Sequence, residues 1–378
     1  MAFVVFFILI LILYGALNYY VGLRGWQIFG RLLPLGAGVV YWSLFGLVAS
    51  SFVIGFFSRG HLPEGISHVI SLVGFYWAAA VIYLFLSFLV LDLLMLLNRK
   101  VGLVPDVTKF LPIAGVAVIV LVIGLIGYGV WNAQNTQVRS YEVAIGKQAG
   151  DIGQLRTVLV SDIHMGTIMD KQRISQMVDR VNALEPDLIL LAGDLIDGNM
   201  RPVIKQNMQE ELKQLKSRYG SFAVLGNHDH MGGIAEAAVA FLEECRIAVL
   251  RDNHRLVADS FYIAGREDVS HGGKRQDLET ILNGVDRSKP LLLLDHQPFN
   301  LAEGQRLGVD IQLSGHTHNG QFFPFNLITG LIFEQDWGYI RKGDFHGVIS
   351  CGFGTWGPPL RLASRSEIVL VTISFAGE

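Results

Sequence analysis

Leu188-Ile-Leu-Leu-Ala-Gly-Asp194 joins an apolar run of strand length to a glycine and a carboxylate. The run is too short for a helix and reads as a buried strand. Gly193 permits a tight turn that delivers Asp194 to the strand end. The arrangement recurs upstream in Val158-Leu-Val-Ser-Asp-Ile-His164 and downstream in Phe222-Ala-Val-Leu-Gly-Asn-His-Asp229. Helical periodicity fills the spaces, over Lys171–Leu184, near Gln206–Arg218 and over Ile234–Cys245. This is a β-α-β rhythm.

Beyond it the chain is richer in strands, expected at Ile247–Leu250, Arg255–Val257, Phe261–Ala264, Leu291–Leu294, Ile311–Leu313, Gly347–Cys351 and Ile368–Ser374. Two stacked mixed β-sheets flanked by helices accommodate this order.

The N-terminal third is of another kind. The chain is 51% hydrophobic and 17% charged, with mean hydropathy +0.41, too apolar for a wholly soluble protein. Four stretches are long enough to span a bilayer: Ala2–Val21, Leu32–Phe57, Val69–Leu97 and Phe110–Trp131. No basic segment precedes the first, and three more spans follow it, so it reads as an anchor and not a cleaved signal. The organisation expected is four transmembrane helices over 1–131, a linker over 132–154 with one strand at Val138–Ile145, and an α/β domain over 155–378. The protein is thus expected to be a multi-pass integral membrane protein.

Loops after the first and third spans hold Arg24, Arg31, Arg99, Lys100 and Lys109, against Arg59, Arg139 and Lys147 on the other side. This excess puts the catalytic domain outside the cytoplasm. Asp92 is the one carboxylate inside a span, and it reads as a helix-end group that reaches the interface or pairs near Arg99 and Lys100. A net charge of −3 without a basic run disfavours nucleic acid as partner. Cys245 and Cys351 form no C-x-x-C motif and read as core residues.

Chemistry-bearing side chains stand where apolar strands turn into loops. They are Asp162 and His164; Asp194; Asn227, His228 and Asp229; His296 in Leu291-Leu-Leu-Leu-Asp-His-Gln-Pro298; and His316 and His318 in Ile311-Gln-Leu-Ser-Gly-His-Thr-His318. Strand ends converge at one edge of an α/β sheet. Imidazole, carboxylate and amide donors without thiolate suit Mn, Fe or Zn better than Ca. Seven such donors exceed the needs of one ion, and two divalent ions sharing a carboxylate satisfy them.

These motifs, in this order, resemble the calcineurin-like metallophosphoesterases, in particular their bacterial membrane-associated branch, over roughly Arg156–Ile373. The resemblance implies a metallophosphoesterase domain that hydrolyses a phosphomonoester or phosphodiester. It implies one metal held by Asp162, His164, Asp194 and His318, and another by Asp194, Asn227, His296 and His316. A hydroxide between the metals would attack phosphorus, with His228 assisting the leaving group and Asp229 orienting the His228 ring. Arg361, in Gly352-Phe-Gly-Thr-Trp-Gly-Pro-Pro-Leu-Arg361, would contact phosphate or brace its loop.

A lipid-linked phosphoester is the expected substrate, with a tethered nucleotide or cyclic-nucleotide phosphodiesterase as the alternative. A transporter or sensor with a regulatory phosphoesterase-like domain is the reading from another class. Asp197 reads as a loop cap, and His230 and His271 as solvated loop residues. Phe322, Phe323 and Phe325 read as core aromatics, or as side chains that meet an acyl chain or headgroups. The oligomeric state is left open.

Overall fold

Long apolar stretches make four long helices. In the computed structural model, which describes residues 2–57, 63–272 and 275–377, these are α1 (Ala2–Phe29), α2 (Ala37–Phe57), α3 (Glu64–Val101) and α4 (Val107–Gln134). Each is long and apolar enough to cross a membrane. α1, α3 and α4 outrun the expected spans, whereas α2 starts five residues later than expected, at Ala37 instead of Leu32. At the end of α3, Gly102 takes φ 72° and its N–H donates to the Asn98 carbonyl.

Two units divide the chain, Met1–Val130 with Gly357–Pro359, and Trp131–Trp356 with Leu360–Glu378. The first turns leucine, isoleucine and valine outward on all helices and keeps its polar contacts inside. Trp77 Nε1 donates to Asn18 Oδ1 (2.8 Å), and Tyr20 Oη donates to Asp92 Oδ2 (2.7 Å). Asp92 forms its ion pair with Arg24 of α1, not with Arg99 or Lys100. Arg24 therefore lies within a helix and not in a loop, and Arg59 lies outside the described residues.

The second unit begins with β1 (Gln137–Ile145), β2 (Gln154–Val160), α5 (Lys171–Asn182), β3 (Leu188–Ala192), α6 (Met200–Lys205), α7 (Gln209–Leu212) and β4 (Ser221–Val224). There follow α8 (Asn227–His230), α9 (Ala235–Glu244), β5 (Ile247–Val249), β6 (Asn253–Val257), β7 (Phe261–Gly265), α10 (Leu278–Ile281) and β8 (Leu291–Leu294). The chain ends with α11 (Leu301–Arg306), β9 (Ile311–Ser314), α12 (Phe325–Ile332), β10 (Gly338–Lys342), β11 (Phe345–Ile349) and β12 (Glu367–Phe375).

One sheet runs β1-β12-β2-β3-β4-β5 and the other β10-β11-β9-β8-β7-β6. Both are mixed: β2, β3, β4 and β5 are parallel while β12 opposes β2, and β7, β8, β9 and β11 are parallel between antiparallel edges. Period-two alternation builds the layers. Leu159, Leu190, Leu292 and Leu313 meet between the sheets, while Val158, Val160, Ile189 and Leu191 face α5 and α9. Leu291 and Leu293 pack outward with α10. The expected helix near Gln206–Arg218 is reduced to the single turn of α7, set off from the preceding α6 where Asn207 takes φ 51°. Segment 132–154 carries β1, which pairs in parallel with β12 over its whole length.

Candidate metal centre

The loops that leave β2, β3, β4, β8 and β9 at their carboxyl ends hold every candidate ligand. Backbone bonds lock these loops together: Asp162 N–H donates to the Gly193 carbonyl (3.0 Å), His164 N–H to the Asp194 carbonyl (2.9 Å) and Gly315 N–H to the His296 carbonyl (2.9 Å). Asp162, His164, Asp194, His316 and His318 all adopt positive φ, between 49° and 73°. Non-glycine residues are held there only where the surroundings over-determine them, as at ligand-binding sites.

The side chains form two groups, Asp162 with His164 and His318, and Asp194 with His296 and His316. His164 Nε2 lies 3.1 Å from His318 Nε2, which is 3.4 Å from Asp162 Oδ1. In the other group His296 Nε2 is 3.3 Å from both Asp194 Oδ2 and Asn227 Oδ1. Asp194 Oδ2 is also 3.9 Å from His164 Nε2, so it serves both groups. Such donor-to-donor spacings are the edges of a coordination shell with bonds of about 2.0–2.2 Å. His296 Nδ1 donates to the Ala192 carbonyl (2.8 Å), which leaves the Nε2 lone pair facing the centre.

Burial and close charges perturb this cluster strongly, and the Asp194 charge holds His296 well above its usual range against burial. Burial and the Asp194 charge raise the Asp162 carboxyl, whereas Asp194 is held well below the usual range because His296, His164 and His228 outweigh burial. Burial, then the Arg361 charge, pushes His318 well down; burial and His296 bring His316 to about 4. Both imidazoles are therefore neutral near pH 7, the form that ligates metal. The donor set fits divalent ions.

Three assignments change around this core. His228 Nδ1 is 2.9 Å from Asp197 Oδ1, so Asp197, not Asp229, orients the ring, and Asp197 is more than a loop cap. Asp229 is fully buried and accepts from the amides of Leu195, Ile196 and Gly226, tying the Asp194 loop to the Asn227 loop. Burial and the Asp194 charge push its carboxyl up to about 6. Arg361 is also fully buried, where a substrate phosphate does not reach it. Its guanidinium donates to the Gly352 and Gly354 carbonyls and to Ser364 Oγ, and Nη2 lies 3.1 Å from His318 Nδ1. Its contacts are with its own loop and with the candidate ligand His318.

The sequence reading of Asp197 as a loop cap left out its contact with His228, which joins residues 31 apart in the chain. Trp356 stands 6.4 Å from the His228 ring, between centroids. His230 is not simply solvated: its Nε2 is 2.8 Å from Glu267 Oε1, with His271 Nδ1 3.3 Å from its Nδ1.

Clusters of histidine and aspartate at the strand ends of a two-sheet α/β domain define a class, the divalent-metal proteins. A family model for the calcineurin-like phosphoesterases matches residues 155–320. A zebrafish (Danio rerio) transmembrane protein with metallophosphoesterase domain is 33% identical over 66% of this chain and 60% of its own length. A metallophosphoesterase of Aquifex aeolicus is 37% identical over 59% of this chain and 87% of its own. One from Campylobacter jejuni is 32% identical over 68% of each. This chain belongs to the calcineurin-like phosphoesterase family. It spans 60% of the zebrafish relative, so the likeness reaches beyond bacteria without covering that protein entire.

Proposed function

We propose that this chain is a membrane-anchored, dinuclear-metal hydrolase of phosphoesters, with a lipid-linked phosphoester as its substrate class. The observation that carries the reading is Asp194, whose carboxylate is within reach of both donor groups. Bound divalent ions supply Lewis acidity to phosphoryl oxygens and lower the pKa of water at the site.

The chain's own residues do the rest. Asp162, His164, Asp194 and His318 hold one ion; Asp194, Asn227, His296 and His316 hold the other. His228 is the proton donor to the leaving oxygen: burial would lower its pKa, but the Asp197 bond and the Asp194 charge outweigh this and raise it. A raised pKa extends the pH range over which the ring carries a proton to give up. Asp229 fixes the two loops that aim His228 and Asn227.

The lipid assignment is supported by the four apolar helices and by the way the chain enters the catalytic unit. Asn132, in the last turn of α4, donates to the carbonyls of Arg361 (3.0 Å) and Ser364 (2.8 Å) on the loop that braces His318. Basic residues at Arg31, Arg99, Lys100 and Lys109 support an extracytoplasmic catalytic unit.

The test uses purified full-length protein with p-nitrophenyl phosphate, bis-p-nitrophenyl phosphate, cyclic nucleotides and phospholipid phosphates, with Mn added and after chelation. Metal-dependent turnover, highest on a lipid, is expected. Asp194→Ala and Asn227→Ala should each lose metal and activity, since each removes a direct ligand. Preference for nucleotides would transfer the reading to the tethered phosphodiesterase, and full turnover in Asp194→Ala would sink the dinuclear assignment.

A further inference from the structure

Helix α12, Phe-Asn-Leu-Ile-Thr-Gly-Leu-Ile over Phe325–Ile332, is folded inside out. Its polar side chains are the more sheltered ones: Thr329 Oγ1 donates to Asp336 Oδ2 (2.7 Å), and Asn326 is half-buried. Its apolar side chains point into the open, with Leu331 88% exposed and Phe325, Leu327, Ile328 and Ile332 between 40% and 60%. No residue of the helix is buried and none is charged. Phe323, Phe299 and Trp356 are exposed as well. A contiguous apolar surface of this kind on a folded protein marks a partner or a membrane.

That surface borders the metal centre. The Phe333 ring, at the end of α12, lies 5.9 Å from the His316 ring and 4.8 Å from Phe299, and Trp356 faces His228. It is also fastened to the point where the chain leaves its last apolar helix. Asn132 holds the Arg361–Ser364 loop; Leu362 and Ala363 of that loop donate to the Gln321 carbonyl (2.8 and 3.1 Å); and Gln321 Nε2 donates to the Trp356 carbonyl (2.9 Å). Phe322, the next residue, is buried and leads into α12. One continuous run of hydrogen bonds thus joins the exit of α4 to the inside-out helix, all within the catalytic unit.

We propose that α12, with Phe299, Phe323 and Trp356, is a membrane-contact surface whose apolar side chains enter the boundary between lipid headgroups and acyl chains. A helix with an apolar outward face and no charge satisfies that boundary, where its side chains leave water while its ends stay in the polar zone. The bilayer is the occupant because it is already beside the chain: β1 starts at Gln137, three residues after α4 ends at Gln134. Three residues reach about 10 Å at most. The surface opens onto His316 and His228, so a headgroup held at this depth would lie at the mouth of the metal centre.

The inference goes beyond the substrate assignment and is tested without turnover. Full-length protein carrying Leu331→Cys or Ile328→Cys is labelled with bimane and placed in phosphatidylcholine–phosphatidylglycerol nanodiscs. Leu256→Cys, an exposed position on β6, is the control. Cys245 and Cys351 are buried and stay unlabelled. Doxyl-labelled lipid should quench bimane at both α12 positions several-fold more than at Leu256, and aqueous iodide should quench them less. Iodide quenching equal to that at Leu256 overturns the proposal, as does lipid-independent contact between two labelled copies. Because both side chains are exposed, their replacement removes no core packing, and retained metal content reports the fold.

Discussion

Asp197 sets how acidic His228 is. Against the cost of burial, its contacts with His164 and His228 hold the Asp197 carboxyl well below the usual range, so it is ionised at every working pH. Its charge raises the His228 pKa and keeps the donor protonated further up the pH scale. Asp197→Asn removes that charge. The His228 pKa falls, the alkaline limb of the kcat profile moves to lower pH, and turnover at neutral pH drops on the order of tenfold, with metal content intact. A profile whose alkaline limb stays in place would remove Asp197 from the proton donor. The candidate ligands come together as their positions in the sequence imply, because each follows directly from its own strand. The Asp197–His228 pair was not legible there, because two loops 31 residues apart create it and no local pattern announces it. The two readings of Arg361 could not be separated in the sequence for the same reason: they differ in burial, which its surrounding Gly-Pro sequence does not disclose.

Strand ends do their work through glycines placed between rigid ladders and ligands. Gly193 takes φ 79°, and a Cβ there would lie 2.5 Å from His296 Nδ1. Gly193→Ala should therefore cost about 1–3 kcal/mol in backbone strain alone and displace His296, lowering metal retention together with the melting midpoint. Asp170→Ala separates the two effects. Its side chain caps α5 by accepting from Arg173 N–H, so its loss costs about 1 kcal/mol of stability and leaves metal content unchanged. Elements whose apolar periodicity matched their burial, such as β3, β8 and α5, stood out in the sequence. Helix α12 did not, because its apolar side chains face outward and the segment after Phe322 read as a loop. Strand β10 also escaped notice: Gly338-Tyr-Ile-Arg-Lys342 alternates weakly and owes its place to antiparallel pairing with β11.

At the scale of the whole molecule, the expected fold of four apolar helices followed by an α/β domain with two mixed sheets is the fold observed. Sidedness rests on basic residues alone, and Arg24 drops out of that reckoning through its pairing with Asp92. Leu256→Cys in intact cells should react with a membrane-impermeant maleimide before lysis. Reaction only after permeabilisation would place the catalytic unit in the cytoplasm.

The pairing of β1 with β12 also determines how the protein tolerates cutting. Nine residues of β1 cover one whole side of β12, each at its own register, from Gln137 beside Glu367 to Ile145 beside Phe375. Cleavage at residue 155 would free the globular part from lipid and bare a nine-residue strand, six of whose residues are apolar. Exposed edges of that kind recruit other edges. A soluble fragment must therefore keep β1, or it exchanges insolubility in water for self-assembly.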